Sequence, residues 1–370
     1  MEEETFWRMK SIERELLDIV LPVITELKNY FNSLLHEEDG EKVYIYDEEL
    51  KDIASGCTMG QVAGFYVFLN KIEKNNGLLN IAKGLVKTVN EIQLKDGGFS
   101  QPYFAKKGEP PVVDIAEIGA VANSLYHIFC ATKSVYAYDT LIKAADYLLT
   151  QVAEENPGAV YKRPQVSGDI LNGDIYAAHA WCRAYQLSKK EAYLQKVHDV
   201  IQHVASRFSK HEEGWWPYSE TWGGDIEVGN SVSYQGTIVG FADICLPLLS
   251  ETLRDNWLKI RYKAVETMLK AMKEGPNERT EVTWWSRDWE NTWEIYLAFW
   301  RCRNEIKEAK EVVLGRFNKL KEEVDKRKIE VFSPRIAISD SDRTPVSTTF
   351  RKAATFAGIL SYMFLDEGII

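Results

Sequence analysis

The sequence predicts an all-α protein, an (α/α)6 toroid in which six helical hairpins form one domain spanning residues 1–370. Helical runs alternate along the chain between a charged, amphipathic type and a type rich in small and apolar residues. Lysine-containing helical runs also return, at Lys83, Lys143, Lys196 and Lys263, and a loop rich in glycine, proline or aromatic residues follows each. A unit of about 50–70 residues with two helices and one such loop is typical of a helical-hairpin repeat.

The first half of the chain contains six helical runs. They span residues 6–35, 58–69, 78–92, 114–132, 137–152 and 173–187. In the first run the apolar residues from Ile12 to Phe31 keep helical spacing, which predicts one apolar face and one wet face. The second, fourth and sixth runs are rich in small and apolar residues, which predicts helices buried on most sides. The third and fifth runs are amphipathic again.

The second half repeats this alternation. Its runs span residues 191–208, 231–249, 253–272, 291–303, 304–326 and 345–364. Small residues let helices approach closely, so the small-apolar runs are expected to form an inner ring and the amphipathic runs an outer ring. The first run of the chain is amphipathic and the last is of the buried type, so the two can pair and close the ring. An open solenoid, the alternative, would have end repeats with polar outer faces.

Composition and charge limit the class of protein. With 370 residues, of which 45% are hydrophobic and 27% charged, the chain is of ordinary globular composition and can bury a large core. A net charge of −10 disfavours non-specific binding to nucleic acid or to anionic membranes. The first residues are acidic rather than of the signal-peptide type, and no apolar run reaches the roughly 18–20 residues of a membrane span. We therefore expect a cytoplasmic protein without nucleic-acid or membrane partners.

No metal or cofactor is predicted. The five cysteines lie far apart without a CxxC pair, and four of them fall in apolar helical runs, which favours reduced core thiols. The histidines show no HxH or HExxH spacing, and His198 and His203 lie on an amphipathic run where they are expected to be solvated. Motifs for binding nucleotides, flavins or pyridoxal phosphate are absent from the sequence.

Two short motifs carry a resemblance to known families. Gln93, Gly97 and Phe99 form a QxxxGxF pattern, and residues 143–149 read Lys-Ala-x-x-Tyr-Leu-Leu. Both resemble the repeat signature of terpenoid cyclases and protein prenyltransferases. The hairpin pattern with its GGF and GWWP loops is also similar to six-hairpin glycosidases and (α/α)-barrel polysaccharide lyases. This resemblance implies a toroid whose active site lies where the loops before the inner helices gather.

Those loops are rich in aromatic and charged residues. Two of them contain a Trp-Trp pair, and because an exposed indole is costly unless a ligand stacks on it, the pairs suggest platforms for sugar rings. Sugar chemistry also uses two carboxylates, one as the acid and one as the base or nucleophile. The candidate catalytic residues are Asp174, Asp225 and Asp288. The candidate substrate-binding residues are Tyr103, Arg163, His179, Trp215, Trp216, Tyr218, Glu220, Trp284, Trp285 and Arg287.

Structural roles remain open for these residues. Each acid, Asp174 and Asp114 above all, can instead cap a helix or form a loop salt bridge. His179 can equally be a core histidine with its hydrogen bonds satisfied.

The predicted function is a carbohydrate-active enzyme, a glycoside hydrolase or polysaccharide lyase that acts on an oligosaccharide, with uronate-containing ones favoured by the loop cations. One alternative is a terpenoid cyclase or prenyltransferase-like enzyme. Asp340 and Asp342 resemble the acidic DxDD motif of class II cyclases, but Arg343 occupies the fourth position. The other alternative is a toroid that binds glycan or protein without catalysis. The oligomeric state stays open.

Overall fold

The computed structural model describes residues 11–38, 42–104, 112–163, 168–274, 289–334 and 347–369. Over these residues it contains twelve α-helices and eight short strands. The helices are α1 (Ser11–Ser33), α2 (Gly56–Glu73), α3 (Asn76–Ile92), α4 (Ile115–Thr132), α5 (Val135–Leu149), α6 (Leu171–Ser188), α7 (Glu191–Arg207), α8 (Val232–Ala242), α9 (Glu251–Glu274), α10 (Trp293–Arg301), α11 (Lys307–Arg327) and α12 (Thr349–Leu365). The strands are β1 (Leu35–Glu38), β2 (Lys42–Asp47), β3 (Asp52–Ile53), β4 (Ser100–Gln101), β5 (Val112–Val113), β6 (Gly168–Ile170), β7 (Ser219–Thr221) and β8 (Ile226–Val228).

Each predicted helical run corresponds to one of these helices. The run 231–249 is shorter than predicted, because the α-helix ends at Ala242 and a 3-10 segment, Asp243–Leu248, takes over. Pro247 lies in that segment and has no backbone N–H to donate to an α-helical ladder. Residues 6–10 of the first run and 345–346 of the last lie outside the described residues.

The strands form three small antiparallel sheets that the periodicity did not predict. Their orders are β1-β2-β3, β4-β5 and β6-β7-β8. The second and third sheets lie in segments that lead from an amphipathic helix to a buried one. Such short strands have too few residues for an alternating pattern to be visible in the sequence.

The chain divides into two compact units, one formed by Met1–Leu141 with Leu314–Ile370 and the other by Ile142–Val313. The prediction of a single domain stays a prediction. In the first unit α2 packs on α3, α4 and α12, and α12 also contacts α1. The ring of Phe31 in α1 lies edge-on to that of Phe350 in α12, with centroids 6.0 Å apart. The predicted pairing of the first and last helices is therefore confirmed.

The second unit has the same kind of helix packing. Helix α6 packs on α7, α8 packs on α10 and α9, and α6 contacts α8. A Cβ on Gly236 of α8 would lie 2.8 Å from the Ile295 Cα of α10, so this contact between two buried helices requires glycine. In the first unit a Cβ on Gly64 would lie 2.5 Å from the Ser124 Oγ of α4. Small residues thus bring the buried helices together, as predicted.

Three of the buried helices end in the same way. Lys74 after α2, Lys133 after α4 and Lys189 after α6 all adopt the left-handed conformation, with φ between 53° and 59°. Each lysine donates its backbone N–H to the carbonyl oxygen four residues earlier. One more residue follows each lysine, and then the next helix, which is of the amphipathic type, begins. We call these two-residue connections, each made of the left-handed lysine and the residue after it, the lysine links.

Two further observations concern hydropathy and the cysteines. No helix among the described residues combines the length and the hydropathy needed to cross a bilayer. Cys182, Cys245 and Cys302 of the apolar runs are buried free thiols, as predicted, and Cys57 is buried too. Cys130 also falls in an apolar run but is exposed, so the expectation of a core thiol is wrong there.

Candidate functional site

Two of the aromatic loops meet in the second unit. The loop before α6 contributes β6 and the loop before α8 contributes β7 and β8 to one three-stranded sheet. In the β6–β7 register Asp169 lies directly opposite Glu220. Partners opposite each other in an antiparallel pair point to the same face of the sheet, so the two carboxylates share one face. Glu220, a candidate of one loop, is thereby brought beside an acid of the other loop.

A buried pair of carboxyl groups lies at the start of α6. Asp174 is fully buried in the first turn of this helix, and its Oδ1 accepts the N–H of Val160 at 2.9 Å. Burial and the neighbouring Asp169 raise the pKa of the Asp174 carboxyl well above its usual range. Asp174 does not cap α6, since Ile170 occupies the N-cap position. Asp114, by contrast, caps α4 by accepting the N–H of Ala116.

The tautomer of His203 follows from its neighbours. The N–H of Gly158 donates to Asn156 Oδ1 at 2.9 Å, so the amide nitrogen of Asn156 faces His203 Nδ1, 3.1 Å away. Because Nδ1 accepts from this amide, the ring hydrogen sits on Nε2 and is donated to Asp169 Oδ2 at 2.8 Å. The expectation of a solvated His203 is therefore wrong. His198 is also engaged, with its Nε2 2.9 Å from the Leu248 carbonyl oxygen.

The donor atoms of Asp169, Asp174 and His203 lie within 4.8 Å of one another, close enough to share a metal ion. The hydrogen on His203 Nε2 occupies the lone-pair position that a metal would need. Asp169 Oδ1 and Asp174 Oδ2 are both buried, and within the described part of the chain neither has another hydrogen-bond partner. A proton shared between the two carboxyl groups satisfies both oxygens and leaves the His203 hydrogen bond intact. The three side chains are therefore better suited to share a proton than to bind a metal ion.

Glu220 is held by two side chains, an arginine and a histidine. Its Oε2 pairs with the guanidinium of Arg207, at the end of α7, and its Oε1 lies 2.7 Å from His211 Nε2. The carboxylate is almost fully buried, so these partners take up its hydrogen-bonding capacity. In this position Glu220 ties β7 to the end of α7.

The Trp215–Trp216 pair belongs to the core of the second unit. The two residues are only 3% and 2% exposed. Trp216 donates its indole N–H to the Val204 carbonyl oxygen at 2.8 Å, and its ring packs against Phe208 and Trp257. The premise that this pair is exposed is therefore wrong, and neither side chain is placed as a surface platform.

His179 also lies in the interior. Its Nδ1 is 2.9 Å from the Phe241 carbonyl oxygen, and its ring packs edge-on against the Phe241 ring. These contacts match the core position of the alternative, with a hydrogen bond shown for one ring nitrogen, Nδ1.

The half-buried aromatic groups of the same loops are different residues. Tyr218 stacks on Tyr234 with ring centroids 4.1 Å apart, and Lys162 Nζ donates to the Tyr218 hydroxyl at 2.9 Å. Burial, followed by the neighbouring Tyr218, raises the pKa of Tyr234 to about 12. We call Lys162, Tyr218 and Tyr234 the tyrosine–lysine cluster. Sequence reasoning missed Tyr234, although a bulky aromatic in the first turn of a helix of small residues was a usable signal.

The remaining predicted residues are scattered. Arg163 follows Lys162 and is half-buried, whereas Asp225 is exposed at the turn between β7 and β8, where its N–H donates to Thr221 Oγ1. Trp284, Trp285, Arg287 and Asp288 lie outside the described residues.

Tyr103 lies in the first unit and is fully buried. Its hydroxyl donates to Asp47 Oδ2 at 3.1 Å, and the Arg351 guanidinium lies 4.9 Å above its ring. The Arg351 guanidinium therefore covers a face of the Tyr103 ring that a ligand would otherwise contact.

Comparison with known proteins finds no matching protein-family model and no matching curated protein. Several solved structures share the fold. A cellobiose 2-epimerase from Bacillus thermoamylovorans has a TM-score of 0.68 at 13% identity, over 95% of this chain and 100% of that one. A family 76 glycoside hydrolase from Bacteroides thetaiotaomicron has a TM-score of 0.65 at 11% identity, over 96% of this chain and 78% of that one. An unsaturated glucuronyl hydrolase specific for heparin has a TM-score of 0.60 at 12% identity, over 95% of this chain and 97% of that one.

These likenesses extend over nearly the whole chain at low sequence identity. The predicted fold class, an all-α (α/α)6 toroid of the six-hairpin type, is thereby confirmed.

Proposed function

We propose that the protein is an enzyme that acts on carbohydrate, and that the tyrosine–lysine cluster binds its substrate. The observation that carries this proposal is the stacked pair Tyr218–Tyr234 at the start of α8, with the Lys162 ammonium on its hydroxyl edge. Aromatic rings pack on the apolar face of a sugar ring, and a neighbouring cation orients the polar groups of the sugar. The shared fold with carbohydrate-acting enzymes supports the same substrate class.

The favoured reaction is hydrolysis or elimination on a uronate-containing oligosaccharide. Lys162 and Arg163 are adjacent in the chain and bring two positive charges to the loop that carries the cluster. Two cations suit a sugar carboxylate, which an arginine can also bind through two parallel hydrogen bonds. The exposed Asp225 and the sequence candidate Asp288 are the proposed carboxylates for catalysis. Asp174 is fully buried, so we assign it the role of a positioning residue that fixes the loop before α6.

A second candidate is a sugar epimerase or isomerase. Three carboxyl groups, those of Asp169, Asp174 and Glu220, are buried and engaged with other groups. Hydrolysis requires two carboxylates beside the scissile bond, whereas moving a proton on a single sugar does not. The burial of these three acids therefore favours a reaction without such a pair.

One panel assay tests both candidates. The purified protein is incubated with neutral, uronate-containing and unsaturated-uronate oligosaccharides in deuterated water. Reducing ends, the ultraviolet absorbance of the unsaturated uronate and deuterium incorporation into the sugar are measured together. New reducing ends indicate hydrolysis, a gain of absorbance indicates elimination, and deuterium at a sugar carbon without cleavage indicates epimerisation or isomerisation.

Variants then identify the residues. Tyr218→Phe, Tyr234→Leu and Lys162→Met are expected to weaken substrate binding, whereas Asp225→Asn and Asp288→Asn test the two carboxylates. Glu73→Gln, which removes one exposed salt bridge to Lys28, serves as the matched control. An absence of turnover and of binding for every sugar would refute the carbohydrate proposal.

A further inference from the structure

A second polar cluster lies in the first unit, where side chains from the first turns of three buried helices meet. Arg351 of α12 donates from Nη2 to Glu117 Oε1 of α4 at 3.0 Å. Burial and the neighbouring Glu117 carboxylate raise the pKa of the thiol of Cys57, which belongs to α2. Sequence analysis did not select Cys57, Glu117 or Arg351, because they are widely separated in the chain.

Gln101 of β4 completes this cluster and leaves one hydrogen-bonding atom unused. Its Nε2 donates to Glu117 Oε1 at 2.6 Å. A carboxylate oxygen only accepts, so the amide nitrogen must face it and Gln101 Oε1 must point elsewhere. Gln101 is 2% exposed, and its Oε1 has no hydrogen-bond partner among the residues that the structure describes. A buried acceptor without a donor is unfavourable, so this atom is suited to a donor that a ligand would bring.

The other two polar groups are fixed in position and reach solvent. The Arg351 guanidinium rests on the Tyr103 ring, and the backbone N–H of Arg351 donates to Thr348 Oγ1 at 3.0 Å. Thr348 and Tyr103 both donate to Asp47 Oδ2, which anchors this support. The side chains of Arg351 and Glu117 are 21% and 12% exposed, so a small molecule can contact them.

We propose that Gln101, Glu117 and Arg351 form a binding site for a neutral, polyhydroxylated ligand such as a sugar ring. Glu117 would repel a carboxylate and Arg351 would repel an ammonium group, so the pair selects against charged ligands. A hydroxyl group donates and accepts at once, so vicinal hydroxyls can donate to Gln101 Oε1 and Glu117 while accepting from Arg351. This site goes beyond the proposed function, because its ligand class follows from its own groups and differs from that expected at the tyrosine–lysine cluster.

Calorimetric titration of the full-length protein with cellobiose and, separately, with glucuronate tests this site. Gln101→Leu and Glu117→Gln should each weaken cellobiose binding about tenfold or more, since each removes a hydrogen bond to a buried or charged group. Glu73→Gln, which changes a carboxylate of the same unit at an exposed site, should bind cellobiose like the wild type. Glucuronate, the ligand class expected at the tyrosine–lysine cluster, should bind Gln101→Leu as it binds the wild type, which separates the outcome from that of the proposed function.

Two results would overturn the proposal: no binding of cellobiose to the wild type, or unchanged binding in both folded variants. Circular dichroism establishes that the variants are folded. If they are not, the wild type alone provides the test through phenylglyoxal modification of Arg351, followed by peptide mass spectrometry. Saturating cellobiose should slow this modification several-fold, and an unchanged rate would refute the site.

Discussion

Replacing Asp174 by asparagine should remove a loss of stability that the wild type undergoes as the pH rises. Asparagine keeps an oxygen that can accept the Val160 N–H, and its amide hydrogens can donate to Asp169 as the acid hydrogen does. It carries no charge at any pH. The variant therefore isolates the ionisation of one buried carboxyl group from its packing.

The sign follows from the direction of the pKa shift. The folded-state pKa of Asp174 is raised above the unfolded value of about 3.9, so the folded protein holds the proton over a pH range in which the unfolded chain has released it. The stabilisation is complete below the unfolded pKa and is lost as the pH rises through the folded pKa. Between those two values the wild type should lose about 1.4 kcal/mol of unfolding free energy per pH unit relative to Asp174→Asn.

Urea denaturation followed by tryptophan fluorescence measures this difference, because Trp181, Trp216 and Trp257 are all buried in the same unit as Asp174. Asp225→Asn makes the same change of charge at an exposed site and should follow the wild type. Asp174→Ala also leaves the Val160 N–H without its acceptor and should cost about 2–4 kcal/mol even near pH 5. A difference between the wild type and Asp174→Asn that does not change as the pH rises above the unfolded pKa of about 3.9 would refute a shared proton.

Three further substitutions test the packing by chemical denaturation. Gly158→Ala places a Cβ 2.6 Å from the His203 Cβ and should destabilise by about 1–3 kcal/mol, so an unchanged midpoint would contradict the placement of His203. Gly315→Ala lies within α11, where no described atom outside the adjacent backbone of that helix comes within 4 Å of the added Cβ, and should stabilise by about 0.5–1 kcal/mol. Trp216→Phe loses the indole hydrogen bond to Val204 and part of the packing, and should cost about 1–3 kcal/mol. A loss below about 0.5 kcal/mol would instead place this indole outside the core.

The helices were predictable because their evidence is local. The uncharged stretch from Thr58 to Leu69 lies entirely within α2 and is buried throughout, and the amphipathic run that begins near Leu78 becomes α3. The spacing of apolar residues indicates which face of a helix is exposed to water, and this spacing can be read from residues only a few positions apart. The strands were not predictable in this way, because the pairing of Asp169 with Glu220 joins two loops separated by two helices.

The candidate site was predicted only in outline. Composition identified the aromatic loops, but it does not distinguish an indole that faces solvent from one whose N–H bonds to Val204 inside the core. Glu220 likewise depends on Arg207 and His211, whose proximity is set by where α7 ends. Gln101 and Arg351 carry no motif, and only their common contact with Glu117 distinguishes them.

The lysine links have a consequence for how such a chain can change during evolution. A left-handed lysine costs about 1–2 kcal/mol relative to glycine, yet the same conformation recurs after α2, α4 and α6. A connection of two residues leaves no room for insertions, so hairpins can be duplicated or exchanged as units of constant geometry. The connections that follow α1, α3, α5 and α7 are much longer and can acquire new residues. Selection can therefore alter substrate preference through one set of connections while the other set preserves the scaffold.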